Sequence, residues 1–272
     1  MWFRLIKSFP LLLGAYTLSS EGFSHIHDAY HHFYRKPFDL KVLYPNHYCL
    51  ITGASDGIGL EYARAMAAKG FPLILISNSG ERLELVKNEL EKDYGIDVQI
   101  IVFDFRTTLI DDYDKLFTKI GNFNIGFYIN DVGVLNLSDL QILPFEKIHG
   151  TIATNIFSNT FITHYAIKNT PYAGILALSS EAGDNPSPHV GTYSGTKAYI
   201  TRFYRSLNLE KNKFFGEELI KKLNLENVLQ DHSPITKLSL QSILEQTIYA
   251  SSDKKQSTNE IKSNIKKISV IF

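Results

Sequence analysis

A phenol and an ammonium stand four residues apart in TYSGTKAYITRF, Thr192 to Phe203, with only small residues between them. On a helix, Tyr193 and Lys197 at that spacing share one face. A free tyrosine titrates near 10 and is a reluctant acid or base at neutral pH, whereas a cation close by favours its phenolate by about one to three units. Such a pair is suited to moving a proton on and off an oxygen. An amphipathic surface helix produces the same spacing without chemistry, so the pair alone leaves both readings open.

TGASDGIG, Thr52 to Gly59, carries a second kind of chemistry. Gly53, Gly57 and Gly59 permit a tight turn and a close backbone approach, and a helix starting there aims free N–H groups at an anion. Ser55, Asp56 and Ile58 fill the rest of the turn. Before it lies the apolar run HYCLIT (47–52) and after it the helical pattern LEYARAMAAKG, the context that a dinucleotide pyrophosphate site needs. At the end of the second apolar run an acidic residue would favour NAD and a basic one NADP. The residues there, Ser77, Asn78 and Ser79, are neutral and Arg82 follows, which favours NADP without excluding NAD.

These two motifs need a frame to hold them together. From Asn46 onward strand-length apolar runs alternate with helical patterns: 47–52, 72–77, 97–103, 125–130 and 174–179 read as strands. Helices follow at LEYARAMAAKG, ERLELVKNELEKDYG and DDYDKLFTKI, and a long one is predicted between Phe145 and Lys168. Continuous apolar strands separated by helices predict a parallel sheet buried on both faces with right-handed crossovers, a doubly wound α/β (Rossmann) fold. Residues 46–272 read as one dinucleotide-binding catalytic domain, and 1–45 as an apolar, His- and Tyr-rich extension.

Bulk properties narrow the partners. Acidic and basic residues balance at 28 each over 272 residues, which supplies no general field for nucleic acid. One cysteine, Cys49, sits in an apolar run, which excludes an intramolecular disulfide and reads as a small core residue. The uncharged stretch between Lys7 and Glu21 has 13 residues and contains Pro10 and Gly14. That is short of the roughly 20 that cross a bilayer, so an interfacial helix, a marginal span and a signal peptide all remain open. His27 and His31 are one helical turn apart, but no cysteine or suitably spaced carboxylate completes a metal site with His25 or His32, and a connecting helix is the expectation.

Taken together, these motifs make the chain resemble the short-chain dehydrogenases/reductases, whose glycine turn reads TGxxxGxG and whose active site carries YxxxK. The resemblance spans about Tyr48 to Leu209. It implies that Ser180, thirteen residues before Tyr193, hydrogen-bonds the substrate oxygen. It further implies that Asn155 is a fourth catalytic residue holding a water, that Asp104 touches the adenine, and that Asn78, Asn130, Tyr193 and Lys197 belong to the cofactor site. GASDGIG followed by LILISNS looks like the branch of very-long-chain 3-oxoacyl-CoA reductases and hydroxysteroid dehydrogenases. That branch implies NADP-dependent interconversion of a carbonyl and a hydroxyl on a lipid-like substrate, membrane association at the endoplasmic reticulum, and a homodimer built on the long helices.

Two departures from the family pattern stand out. FYINDVGV has Asp131 where a second asparagine is usual, which removes an amide donor and brings a negative charge toward the cofactor. Beyond Gly216 the chain reads as helical where a strand, a Pro-Gly turn and a lid are usual, so the C-terminal third is atypical and the closing ISVIF is a candidate edge strand. The alternative function is therefore a catalytically weak nucleotide-binding or scaffold protein that has lost its lid.

Overall fold

Five apolar runs become five parallel strands, each within one or two residues of its predicted bounds. A computed structural model describes residues 40–121, 123–170, 173–185, 187–211 and 270–271. The strands are β1 (Tyr48–Thr52), β2 (Leu73–Ser77), β3 (Val98–Val102), β4 (Ile125–Asn130) and β5 (Gly174–Leu178). Every residue of β2 and β4 is buried, as expected of central strands covered on both faces. The order is β3-β2-β1-β4-β5, and Val270–Ile271, β6, adds antiparallel to β5 through Leu178↔Val270 and Ala177↔Ile271. The closing ISVIF therefore supplies an edge strand of two residues. The predicted helix beyond Gly216 and residues 1–39 of the N-terminal extension, with its histidines, lie outside the described residues. Among the described residues, no helix is long and apolar enough to cross a membrane.

Helices fill the crossovers. α1 (Gly57–Ala68) starts at the glycine turn, and α2 (Gly80–Tyr94) stops at Gly95, whose φ of +63° is the left-handed cap that ends a helix. α3 (Ile110–Ile120) packs Tyr113, Leu116 and Ile120 against Leu50, Ile74, Ile101 and Tyr128 of the sheet. Cys49 is fully buried in β1, and burial pushes its thiol well above the ordinary range, leaving a core residue rather than a nucleophile.

The long predicted helix is not continuous. It runs as α4 (Phe145–Ile152), a π-helical turn (Ala153–Phe157) and α5 (Ser158–Asn169). A π turn breaks the regular carbonyl ladder, and side chains of the next turn take up carbonyls there. Ser158 donates to the Thr154 carbonyl, Asn159 Nδ2 to Asn155 O at 2.9 Å, and Thr160 to Ile156 O at 2.8 Å. Apolar spacing carries no mark of this interruption, which is why the sequence read as one helix.

The last long helix, α6 (Gly191–Lys211), lies against β5 with Ile200 and Tyr204 in contact with Ala177. Tyr204 joins a buried polar knot: Asn130 Nδ2 donates to its hydroxyl at 2.9 Å and to Thr163 Oγ1 at 3.3 Å, and Thr163 bonds Tyr204 in turn. Burial pushes the Tyr204 phenol up to about 12, so it is neutral at every working pH. The knot ties the end of β4 to α5 and α6, the two elements beside the site. Tyr204→Phe removes one acceptor and leaves the Asn130 amide short of a partner, which should cost about 1–3 kcal/mol. Urea denaturation should show a lower midpoint at unchanged slope.

Candidate active site

The strand order reverses at β1, which pairs with β2 on one side and β4 on the other. Chain leaving the carboxyl ends of β1 and β4 diverges there, and the crevice so formed is where doubly wound sheets take ligands. Gly53 leads out of β1 at φ +73°, and a Cβ on it would stand 3.0 Å from both the N and Cα of Val132. Only glycine meets both demands. A Cβ on Gly59 would collide with the Gly53 carbonyl and come within 2.8 Å of the Asp131 carboxylate. At Gly57 the same construction meets nothing within 4 Å, so this face of the turn is open. An open glycine turn at the start of a twelve-residue helix fits a dinucleotide pyrophosphate.

The rest of the turn is internally braced. Asp56 caps α1, its Oδ1 accepting the Gly57 N–H at 2.7 Å, and its Oδ2 accepts from Arg82 at 3.0 Å. Both side chains of that pair are largely exposed. Ser55 Oγ lies 2.7 Å from Ser77 Oγ at the end of β2, with Asn78 directly after it and Ile58 in the first turn of α1. Asp104, two residues beyond β3, is held by Arg106: the guanidinium approaches to 2.6 Å and the Arg106 N–H donates at 3.0 Å, which lowers the carboxyl below its ordinary range. A cavity of about 420 Å³, lined by Phe103, Asp104, Thr107 and Lys115 among others, opens beside Asp104, and Tyr193 does not line it.

Across the crevice the sheet presents the proton-moving group. Ser180 follows β5 and has two tasks: its Oγ accepts the Ala182 N–H at 3.3 Å, capping a 3₁₀ turn (Glu181–Gly183), and its hydroxyl favours the ionised form of the neighbouring Tyr193 phenol. Tyr193 lies in the first turn of α6 and Lys197 one turn further on, its Nζ 5.6 Å from the centre of the Tyr193 ring. The Lys197 ammonium is buried and donates to the Leu178 carbonyl at the end of β5 at 2.7 Å, while its own carbonyl accepts from Ser179 Oγ at 2.9 Å. Burial lowers its pKa and Asp131 raises it, with burial the stronger.

One expectation needs correction. Lys197 does not pull the Tyr193 phenol below its ordinary value: burial raises it, the Ser180 hydrogen bond lowers it, Asp131 raises it again, and the balance lies upward. The Lys197 ammonium, engaged by the Leu178 carbonyl, does not outweigh the desolvation of the phenol.

Asn155 sits in the π turn and is fully engaged. Its Oδ1 accepts the Val134 N–H at 2.8 Å, and its Nδ2 donates to Val134 O at 3.1 Å and Thr196 Oγ1 at 2.9 Å. Thr196 in turn donates to the Tyr193 carbonyl at 2.7 Å, so the chain from the loop after β4 runs through Asn155 and Thr196 to the backbone that carries Tyr193. Thr196 and Ser179 were missed in the sequence, where a lone hydroxyl among small residues carries no signal. Asn130 turns its side chain into the knot with Tyr204, and only its backbone borders the crevice. The next residue, Asp131, faces Gly59 and feels Lys197; burial lifts its carboxyl to about 7, against the lowering effects of Lys197 and of the Gly59 N–H.

A family model described as short chain dehydrogenase matches residues 47–214. A very-long-chain 3-oxoacyl-CoA reductase of Podospora anserina is 31% identical over 169 residues, covering 60% of this chain and 50% of that protein. The same-named protein of Anas platyrhynchos is 33% identical over 174 residues, covering 60% and 54%. The chain thus spans about half the length of the curated relatives it matches. A short-chain dehydrogenase from Sphingobium yanoikuyae, solved in complex with NADPH, matches with a TM-score of 0.56 at 26% identity over 60% of this chain and 65% of that one. With the glycine turn, the strand order and the Tyr193–Lys197 helix all in place, the chain belongs to the short-chain dehydrogenase family.

Proposed function

We propose that the protein is an NADP-dependent oxidoreductase that interconverts a carbonyl and a hydroxyl on a lipid-like substrate, with a 3-oxoacyl-CoA or a steroid as the class. The observation that carries this reading is the pairing of Ser180 and Tyr193 beside buried Lys197, on the rim of the crevice that starts at the open glycine turn. Gly53, Ser55, Gly57, Ile58 and Gly59 would hold the pyrophosphate, Asn78 and Arg82 the ribose with its 2′-phosphate, and Lys197 the nicotinamide ribose. A bound nicotinamide supplies or accepts the hydride. Ser180 orients the substrate oxygen by hydrogen bond, and Tyr193 gives that oxygen its proton in reduction or removes it in oxidation.

The upward balance on Tyr193 has a directional consequence. At neutral pH its hydroxyl is the protonated form, ready to donate, which suits reduction; oxidation needs the phenolate and gains as pH rises. Apolar residues support the substrate class. Leu135, Leu137, Leu140 and Ile142 are exposed on the connection from β4 to α4, and Phe145 at the start of α4. That connection borders the site, since Asn155 holds Val134 and the Ser138 N–H donates to His189 O at 2.9 Å, just before α6. An exposed apolar rim of this extent is unusual for a surface facing only water and suits an acyl chain. Within this reading residues 46–272 form the catalytic domain, and the apolar N-terminal stretch attaches it to a membrane.

Two measurements test the assignment. Tyr193→Phe keeps the ring and loses the proton, so NADPH oxidation with a 3-oxoacyl-CoA should fall by about 10²–10⁴ in kcat/KM while the Kd for NADPH stays within about twofold. Absence of turnover by the unsubstituted protein on a panel of 3-oxoacyl-CoA and ketosteroid substrates, with NADPH still bound, would favour the binding-protein reading. For the cofactor, Arg82→Ala should weaken NADPH by about tenfold, the value of one charge-assisted hydrogen bond, and leave NADH nearly unchanged. Equal losses for both nucleotides would remove Arg82 from the 2′-phosphate site.

A further inference from the structure

Asp131 stands at the meeting point of the glycine turn and the catalytic helix, and neither the pyrophosphate site nor the proton transfer uses it. Its carboxylate is partly buried just after β4 and stands against Gly59, the third residue of α1, where a Cβ would come within 2.8 Å of it. The opening N–H groups of a helix have no partner within the helix, and these are the donors an approaching pyrophosphate requires. In this chain Asp56 already occupies the Gly57 N–H, and the Asp131 carboxylate stands against Gly59. The two carboxylates differ in setting. Asp56 faces solvent and is neutralised by Arg82, whereas Asp131 is turned inward. Among the described residues Asp131 forms no direct ion pair with Lys197, although each shifts the other's titration.

We propose that Asp131 is a positioning residue whose charge sets the affinity of the glycine turn for the dinucleotide and the ease with which Tyr193 ionises. Ionised, it places a negative charge against the N–H groups that must receive the pyrophosphate, and weakens nucleotide binding. Protonated, it releases that repulsion while its carbonyl oxygen can still accept from Gly59. The groups around it fix the sign of each effect. From α6, Lys197 favours the ionised form and Tyr193 is pushed upward by it; from α1 the Gly59 N–H favours the ionised form; removal from water opposes it most strongly and brings its titration to about 7. Nucleotide affinity therefore falls as pH rises through neutrality. The linkage to stability has the same sense: a carboxyl with a folded pKa above its unfolded one binds more protons when folded, so its contribution declines as pH rises from about 4 to about 7.

This inference rests on the proposed nucleotide site, and the test separates the two. NADPH is titrated by fluorescence into the full chain and into Asp131→Asn at about pH 6 and about pH 8, and melting of both proteins without nucleotide is followed over the same range. The amide keeps the shape and the acceptor for Gly59 but carries no charge. The expected result is that the unsubstituted protein loses about tenfold in affinity between the two pH values beyond any loss in Asp131→Asn, which binds about as tightly at the higher pH as the unsubstituted protein does at the lower. The melting temperature of Asp131→Asn should exceed that of the unsubstituted protein by more at the higher pH. In turnover, the alkaline limb of the reductive pH profile should move to lower pH in Asp131→Asn, because Tyr193 is freed from an opposing charge. Equal affinities and parallel melting curves in the two proteins would overturn the role of Asp131 while leaving the nucleotide site intact. A difference in melting without binding of any dinucleotide by either protein would overturn the nucleotide reading, and this proposal with it.

Discussion

A buried ammonium must be satisfied or neutralised, and the active crevice of this fold is arranged around one. Lys197 is withdrawn from water and its Nζ is bonded to the Leu178 carbonyl at 2.7 Å, the last carbonyl of β5. That bond sets the approach of α6 to the sheet edge, and Ser179 reinforces it by donating to Lys197 O and bonding Thr201. With the helix so placed, Tyr193 comes beside Ser180, and Thr196 accepts from Asn155 of the π turn. Removing the ammonium would leave a buried carbonyl short of a donor and the helix without its anchor, so Lys197 has a structural role inseparable from its chemical one.

How much of this was legible in the sequence depends on which force decides each feature. Strands β1 to β5 were read nearly to their ends, because buried strand residues write apolar runs, unbroken in β2 and β4 and still mostly apolar in the partly exposed β3 and β5, and glycine or proline stands near their limits. The glycine turn was legible because steric demand at Gly53 and Gly59 admits one residue type. The π turn at Asn155 was not, since its cause is a set of side-chain to carbonyl bonds made by Ser158, Asn159 and Thr160, hydroxyls and amides that are equally at home on a regular helix. Asn130 was placed among the cofactor contacts by resemblance, and its side chain instead faces Thr163 and Tyr204, partners 33 and 74 residues distant that no local pattern announces.

The Tyr193 phenol shows the same limit for electrostatics. Spacing told that an ammonium lies one turn away, and from that a lowered pKa follows if nothing else acts. The structure adds the terms that spacing omits: desolvation, the competing bond from Lys197 to Leu178, and Asp131 on the far side. One influence that favours ionisation, the Ser180 hydroxyl, is set against two that oppose it, burial and Asp131. Distance and burial decide between them, and neither can be counted along a chain.

Seen from the crevice, Asp131 makes the two halves of the site share one charge balance. In a turn where only backbone donors face the ligand, the glycine loop and the Tyr193 helix would be electrostatically independent, joined only through the molecule they hold. A carboxylate that stands against Gly59 and also acts on Lys197 and Tyr193 couples them directly. Ionisation at one point then weakens the pyrophosphate end and, at the same time, keeps Tyr193 protonated at the reacting end, so affinity and proton donation are pushed in opposite directions by a single group. An amide at the same position would satisfy Gly59 without that coupling, which makes the charge, and not the hydrogen bond, the property by which this residue acts.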